Sequence, residues 1–218
     1  MDDEAPKGSG FLSDVAEVWE TGTQPAADAG VRVANLRFGV VLSNRGGVVQ
    51  KLYWPYLFGL GGPVGPGTQY MSWVSLADAV RAVEHSIAVS RTTPPAPSDS
   101  TTSAQPHRAS HLQPPPRCPP QRPEVEGPVN ACAPQPCTSA EFAAAFGSAL
   151  SRPAFMPLPT PAVRAVFGEM GEETLLVSQR AVPTALEASG FRFWYPDVTS
   201  AMRAAVTFHG GTEAPHRA

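Results

Sequence analysis

The chain has 218 residues, of which 42% are hydrophobic, and this suits a core-forming globular protein rather than a small disulfide-held scaffold. The formal net charge is −3 and the only lysines are Lys7 and Lys51, so no basic face is available to bind nucleic acid. A polar, acidic start and the lack of an apolar run of about 18 residues argue against a targeting segment and a membrane helix. We therefore expect a soluble intracellular protein.

Composition divides the chain into two patterned parts, residues 1–90 and 127–208, an insert over residues 91–126 and a tail over residues 209–218. The insert holds ten of the 25 prolines and no aromatic residue, so it cannot bury enough apolar surface to offset the entropy of ordering. We predict a disordered or polyproline-II-like insert and a disordered tail. The alternative for the insert is a proline-motif docking segment for a protein partner.

The first patterned part predicts a helix, a strand and a second helix. Apolar residues recur at helical spacing from Phe11, and Gly22 and Pro25 predict that this helix is broken or ends early. A nearly continuous apolar run over residues 31–42 predicts a strand buried on both faces of a parallel sheet. A short helix follows, with Pro55 near its end.

The glycine-rich stretch FGLGGPVGPG, residues 58–67, does not fit a phosphate-binding loop. It follows a predicted helix rather than a strand, prolines interrupt it, and it leads into an extended segment. We predict a tight reversing loop that needs positive φ at several glycines. The next helix begins with Ser75 and Asp78 at capping-box spacing, and its predicted apolar face consists of Leu76, Ala79, Val80, Val83 and Ile87.

The second patterned part predicts a short strand and turn followed by helices. Thr138 and Glu141 predict a capping box for a helix that places Phe142, Phe146 and Leu150 on one face. Three further helices are predicted: one from near Pro161, one ended by Gly190, and a last one from about Val198.

The cysteines and histidines do not form a recognisable site. Cys118, Cys132 and Cys137 are odd in number and lack C-x-x-C spacing, which favours free thiols over a disulfide or a zinc site. The histidines lie in the insert, in the tail or alone on a helix, so we predict no metal site. Neither a G-x-S-x-G elbow nor an H-E-x-x-H motif is present.

Several long stretches together resemble one family. They include FLSDVAEVWE, RVANLRFGVVLSNRGGVVQKL, FGLGGPVGPGTQYMSWVSLADAV and NACAPQPCTSAEFAAAFGSALSRPAFMPLP, and FGEMGEETLLVSQRAVPTALEASGFRFWYPDVTSAM follows near the end. They resemble, in order, atypical extended short-chain dehydrogenase/reductases, the NAD-dependent epimerase/dehydratase-like or nucleoside-diphosphate-sugar epimerase-like proteins with a small carboxy-terminal domain of unknown function. The resemblance covers nearly everything except residues 91–126.

The resemblance implies an α/β fold made of an incomplete, doubly wound Rossmann-like sheet and a small α+β carboxy-terminal lobe. Residues 1–90 would be the carboxy-terminal part of the Rossmann-like domain, and residues 127–208 a small substrate-side domain. The resemblance also implies an NAD(P) cofactor. However, the 218 residues contain neither the family's glycine-rich fingerprint nor a Tyr-x-x-x-Lys pair, so we expect this chain alone not to bind NAD(P).

The resemblance also implies site residues. Arg37, Gly39 and Val40 would contact the cofactor at the carboxyl end of a strand, where ligands of open α/β sheets lie, with an ordinary buried strand as the alternative. Gln69 and Trp73 would line the substrate cleft, although a core position is the more common role for a tryptophan. Relatives carry a histidine and a second acid where this chain has Ser75 and Ala77, so no polar role is carried over to those two positions.

Two functions remain open at this stage. The chain is either the substrate-side portion of an NAD(P)-dependent oxidoreductase or epimerase-like protein acting on a small molecule, or a non-catalytic interaction module derived from that family. For a protein partner, the candidate contacts are an exposed sheet edge along residues 31–42 and the proline-rich insert.

Overall fold

The computed structural model describes residues 2, 3, 8, 10–89, 125–157 and 177–207. Within these ranges, no helix is both long and apolar enough to cross a membrane. The helices are α1 (Phe11–Thr21), α2 (Gln24–Asp28), α3 (Gly47–Leu57), α4 (Leu76–Val89), α5 (Ser139–Leu150), α6 (Thr184–Ala188) and α7 (Val198–Thr207). The strands are β1 (Ala34–Phe38), β2 (Val40–Leu42), β3 (Tyr70–Met71), β4 (Trp73–Ser75), β5 (Gly127–Ala131) and β6 (Cys137–Thr138).

Most predicted elements are present with the expected boundaries. The predicted break near Gly22 separates α1 from α2, and Thr138 and Glu141 form the predicted capping box at the start of α5. Gly190 ends α6 with a φ of 82°. The predicted helix from Pro161, the predicted disorder of the tail and nearly all of the insert lie outside the described residues.

The predicted strand over residues 31–42 is two strands that pair with different partners. β1 pairs in parallel with β5, whereas β2 pairs in parallel with β4. The backbone leaves one partner for the other at Gly39, whose N–H donates to the Ala131 carbonyl while the next N–H, of Val40, donates to the Ser72 carbonyl. Because the Ala133 N–H also donates to the Trp73 carbonyl, β4 enters between the two chains that continue β1 and β5.

This crossing leaves no room for a side chain at residue 39. A Cβ on Gly39 would lie 2.8 Å from the carbonyl oxygen of Ser72 and 2.9 Å from the amide nitrogen of Trp73. Both are main-chain atoms of the entering strand and cannot rotate away. The sequence therefore needs glycine here for close approach of two backbones rather than for an unusual φ.

Two apolar clusters flank the crossing. The first lies between β2, β4, α3, α5 and α7 and has Trp73, Phe146 and Met202 at its centre. The second packs β1 and β5 against α4, α6 and the segment after α6, through Val129, Leu186 and Phe191. Residues from both sides of the predicted insert thus build each of the two clusters.

The apolar face predicted for α4 does not face the core of the described residues. Of its five residues only Ala79 is buried, whereas Leu76, Val80, Val83 and Ile87 are 37–57% exposed. The helix instead buries Ala79, Ala82 and the side chains of Asp78 and Ser86, which are either small or hydrogen-bonded. The prediction of a strand buried on both faces was also wrong, since β1 is half-buried with Phe38 45% exposed.

Arg32 joins the two ends of the segment between α4 and β5. Its guanidinium donates to the Ser86 carbonyl at 2.8 Å, in the last turns of α4, and to the Val125 carbonyl just before β5. A cation at the carboxyl end of a helix complements the unpaired carbonyls there.

Replacing Gly39 with alanine should destabilise the fold by about 3 kcal/mol, because the added methyl forces two backbones apart. Chemical unfolding followed by circular dichroism measures this change. Gly46→Ala is the matched control, since a Cβ at Gly46 would meet nothing within 4 Å and its φ of 169° is ordinary extended backbone. Equal stability of the two variants would refute the proposed close approach.

Candidate functional site

A groove with a volume of about 1040 Å³ runs between α1 and β1. β1 supplies one wall along its whole length, and α1 supplies the other through Leu12, Ala16 and Trp19. Val177 and Gln179, from the segment before α6, line the groove as well. Because β1 and β5 are parallel, their carboxyl ends lie together, which is the edge where ligands of open α/β sheets bind.

Arg37 lies in this groove and is held by α1. Its Nε is 2.5 Å from Glu20 Oε1 and its Nη2 donates to Glu20 Oε2 at 2.7 Å, a two-point pairing of guanidinium and carboxylate. Its Nη1 donates to the Asp3 carbonyl at 3.3 Å. The hydrogen bond and the opposite charge lower the pKa of Glu20 and raise that of Arg37, so the two stay ionised together.

The other two predicted cofactor contacts, Gly39 and Val40, follow Arg37 closely in the chain but have structural roles. Gly39 lies at the strand crossing described above. Val40 begins β2 and packs, half-buried, against the first apolar cluster. The structure thus brings Arg37 and Gly39 together at the carboxyl end of β1. Their contact with a cofactor stays a prediction.

Gln69 and Trp73 are both interior. The Gln69 amide donates from Nε2 to the Val64 carbonyl at 2.8 Å, which ties the end of the glycine-rich loop to its middle. Trp73 is fully buried and donates from Nε1 to the Gln135 carbonyl at 3.1 Å. Their role as substrate contacts stays a prediction, and both serve packing in this structure.

The glycine-rich loop approaches its neighbours too closely for side chains. A Cβ on Gly62 would lie 1.9 Å from the Met156 carbonyl oxygen, and one on Gly61 would lie 2.4 Å from the Tyr56 ring. Gly59, Gly65 and Gly67 have positive φ, as a reversing loop requires. The apolar pocket beneath the loop has a volume of only about 20 Å³, close to the space of one water, so this pocket is too small for a ligand.

The described side chains offer few groups for acid–base chemistry. Burial raises the pKa of Tyr56 and of the thiols of Cys132 and Cys137 to about 12, so all three keep their protons at neutral pH. Both cysteines are free thiols, as predicted. Among the described residues, no three His, Cys, Asp or Glu side chains are grouped so that they could hold a metal ion.

Sequence reasoning missed Gln179, which reaches the groove from far along the chain. Its N–H donates to the Tyr70 carbonyl at 2.9 Å and its carbonyl accepts from the Ser72 hydroxyl at 3.0 Å. The same hydroxyl accepts from the Ala181 N–H at 2.8 Å. This segment is extended and has no periodicity, so no pattern in the sequence indicates where it docks.

Sequence reasoning placed Ser75 and Asp78 at capping-box spacing but missed the hub around Asp78. The Ser75 hydroxyl accepts from the Asp78 N–H at 3.0 Å and donates to the Asp78 carboxylate at 2.9 Å, so only the serine half of a capping box is present. The fully buried Asp78 carboxylate accepts from the Trp194 and Tyr195 N–H groups at 2.8 and 3.0 Å, and from Arg81 at 2.8 Å. The Arg81 guanidinium also lies 4.3 Å from the centre of the Trp194 ring. This cluster fixes the segment after α6 against the start of α4.

Comparisons with known proteins agree with this architecture. Residues 158–205 match the family model described as a domain of unknown function, DUF1731. An epimerase family protein of Mycobacterium bovis is 40% identical over 96% of the chain, and the human epimerase family protein SDR39U1 is 31% identical over 93%. The chain spans 59% and 58% of the lengths of these two relatives.

Solved structures give the same result. A crystal structure of human SDR39U1 with NADPH has a TM-score of 0.74 at 29% identity, covering 95% of this chain and 59% of that one. A nucleoside-diphosphate sugar epimerase from Corynebacterium glutamicum has a TM-score of 0.63 at 27% identity, covering 95% of this chain and 33% of that one. The fold is therefore the Rossmann-like α/β fold of NAD-dependent epimerase/dehydratase-like proteins. Over 93–96% of its length, the chain is similar to epimerase family proteins that include SDR39U1.

Removing the Asp78 carboxylate should weaken the attachment of the segment after α6 to the start of α4. Asp78→Ala leaves Arg81 and two buried N–H groups without their acceptor, and we expect a loss of about 3–5 kcal/mol in unfolding free energy. Thermal and urea unfolding measure it. Asp28→Ala, an exposed residue of α2, is the control and should change stability by less than about 0.5 kcal/mol. A tolerated Asp78→Ala would show that the hub is dispensable.

The Glu20–Arg37 pair predicts a pH dependence of stability. Because the pKa of Glu20 is lowered from its usual 4.5, the contribution of the pair is present above about pH 4.5 and is lost as the pH falls through the lowered pKa. Glu20→Gln should therefore destabilise the protein at pH 7 but have little effect at pH 2.5, measured by urea unfolding. Glu84→Gln, at an exposed position of α4, should show no such difference. An equal effect of Glu20→Gln at both pH values would contradict the pairing.

Proposed function

We propose that this chain forms the substrate-side portion of an NAD(P)-dependent oxidoreductase or epimerase-like protein, with its ligand edge at the carboxyl end of β1. The observation that carries the proposal is the groove beside Arg37 and Phe38, at the carboxyl end of parallel strands, in a fold that superposes on an NADPH-bound relative. Hydride transfer would then take place at this end of the groove, between the nicotinamide ring and a small substrate.

The chemistry of the groove suits the nicotinamide and substrate end of a cofactor rather than its pyrophosphate. Glu20 neutralises the Arg37 charge, so the groove offers no uncompensated cation from this pair for phosphate groups. Phe38, exposed in the groove, offers an apolar surface for a flat ring, and the nearby Gln179 amide could hydrogen-bond a carboxamide or a hydroxyl. The 218 residues contain no glycine-rich dinucleotide fingerprint, which would be needed for the pyrophosphate.

Titration of the purified chain with NADPH tests whether this chain alone lacks a complete dinucleotide site. Without a glycine-rich turn to bind the pyrophosphate, we expect no binding heat in isothermal calorimetry at cofactor concentrations up to the millimolar range. Micromolar binding by the chain alone would overturn the expectation that the dinucleotide site is incomplete here.

A chimera tests whether the groove beside Arg37 and Phe38 is the ligand edge. In the Mycobacterium bovis relative, this chain replaces the segment that it matches, and NADPH binding is followed by cofactor fluorescence. We expect the chimera to bind NADPH if the relative does, and Phe38→Glu to weaken binding about tenfold by placing a charge against the ring.

Phe155→Glu in the same chimera is the matched control, because Phe155 is 75% exposed and lies outside the groove. It should leave NADPH affinity unchanged. If Phe38→Glu binds NADPH as well as Phe155→Glu does, the assignment of the ligand edge to this groove is wrong.

A further inference from the structure

The carboxyl end of α3 is apolar on both of its faces. One face buries Val49, Leu52 and Tyr56 in the first apolar cluster. The opposite face carries Trp54 and Phe58, whose stacked rings have their centres 6.3 Å apart and are 60% and 72% exposed. A surface helix ordinarily turns polar side chains outward, so two large exposed rings here indicate a face that contacts something other than water.

A second segment extends these rings into a larger apolar surface. Leu60 follows α3, Phe155 and Met156 follow α5, and all three are 45–75% exposed. The two segments are in contact, because the Met156 N–H donates to the Gly61 carbonyl at 3.1 Å. We call the surface the apolar patch and define it by Trp54, Phe58, Leu60, Phe155 and Met156.

The backbone beneath the apolar patch is fixed by hydrogen bonds. The Leu60 N–H donates to the Pro55 carbonyl at 2.9 Å, and the buried Tyr56 hydroxyl donates to the Gly62 carbonyl at 2.9 Å. The pocket directly beneath has a volume of only about 20 Å³. It is too small for the anchoring side chain that a protein partner inserts at the centre of a typical interface, whereas a fluid lipid surface needs no such pocket.

The two stretches of sequence that build the patch carry only positive charge. Neither residues 29–77 nor residues 142–168 contain an Asp or a Glu, although the whole chain has a net charge of −3. Lys51 lies three residues before Trp54 and thus on the same side of α3, and Arg152 begins the second segment; both are exposed. Exposed aromatic and aliphatic side chains bordered by cations are the combination that binds the interface of an anionic bilayer.

We infer that the apolar patch docks on an anionic lipid bilayer, with its side chains among the headgroups and with Lys51 and Arg152 at the lipid phosphates. The bilayer surface is the occupant to which we commit, and docking on it needs no membrane-spanning helix. The residues of the patch do not line the groove between α1 and β1. The inference therefore goes beyond the proposed function and does not depend on it.

Sedimentation with vesicles tests the docking. The 218-residue chain is mixed with vesicles of phosphatidylcholine that contain about one third phosphatidylserine, and separately with vesicles of phosphatidylcholine alone. We expect binding to the anionic vesicles to be at least tenfold tighter than binding to the neutral ones, and to weaken as salt is added. Binding to neither kind of vesicle, or equal binding to both, would overturn the inference.

Two variants on separate segments locate the contact. Trp54→Gln and Phe155→Gln should each weaken vesicle binding at least fivefold, because each removes a ring from the bilayer interface. Trp19→Gln is the matched control, since it replaces a 75% exposed ring of α1 outside the patch, and it should leave vesicle binding unchanged. Circular dichroism identifies the variants that fold. If the folded patch variants bind like the unchanged chain, or if Trp19→Gln loses as much binding as they do, the patch is not the docking surface.

Tryptophan fluorescence gives the position of the bilayer directly. Bromine atoms on the lipid acyl chains quench an indole only when the two are close. Trp54→Phe keeps a ring at this position, so it should bind the vesicles as the unchanged chain does while losing most of the quenching. Quenching that is unchanged in Trp54→Phe would place the bilayer against another part of the protein.

Sedimentation equilibrium without lipid tests the competing occupant, a second copy of the chain. We expect the unchanged chain and Trp54→Gln to have the same mass over the same range of protein concentration. A dimer that Trp54→Gln dissociates would overturn the inference, because the patch would then join two copies. No cofactor enters any of these experiments, so the proposed function can fail while the docking holds, and the reverse.

Discussion

The contact between Gly39 and the main chain of Ser72 is the constraint on which the rest of the structure depends. It allows β4 to enter between the chains that continue β1 and β5, so one continuous run of residues serves two pairs of strands. The two apolar clusters lie on either side of this point, and each draws on segments from before and after the predicted insert. A side chain at residue 39 would act on both clusters at once, because both are fixed by the same crossing.

Beside its apolar contacts, the segment around residues 177–195 is held by polar contacts to main-chain atoms. Ser72 accepts from and donates to the segment around Gln179, Asn130 donates to the Val182 carbonyl, and Asp78 accepts from two N–H groups after α6. Each contact is buried or half-buried and well directed, so it fixes position as well as adding stability. This explains how a segment with little regular secondary structure keeps a defined place beside the groove.

Patterns with a local physical cause could be predicted from the sequence. Capping at Thr138, the break at Gly22 and the positive φ values of the glycine-rich loop depend on residues that are close in the chain. The aliphatic stripe of α4 shows where local pattern fails, because periodicity reveals an amphipathic helix but not which body covers its apolar face. The groove could not be foreseen, since Gln179 reaches it only through hydrogen bonds to Tyr70 and Ser72, which are more than 100 residues away in sequence.

The open edge of β1 and the exposed stripe of α4 have a common physical meaning. A parallel strand is ordinarily buried between two neighbours and under helices, because its hydrogen-bonding groups and apolar side chains are costly to leave in water. Here β1 has one described neighbour, and α4, which packs on that strand, presents Val80 and Ile87 outward. Among the described residues, one strand edge and one helix face of this sheet are thus left exposed, and both lie on elements that pack against each other.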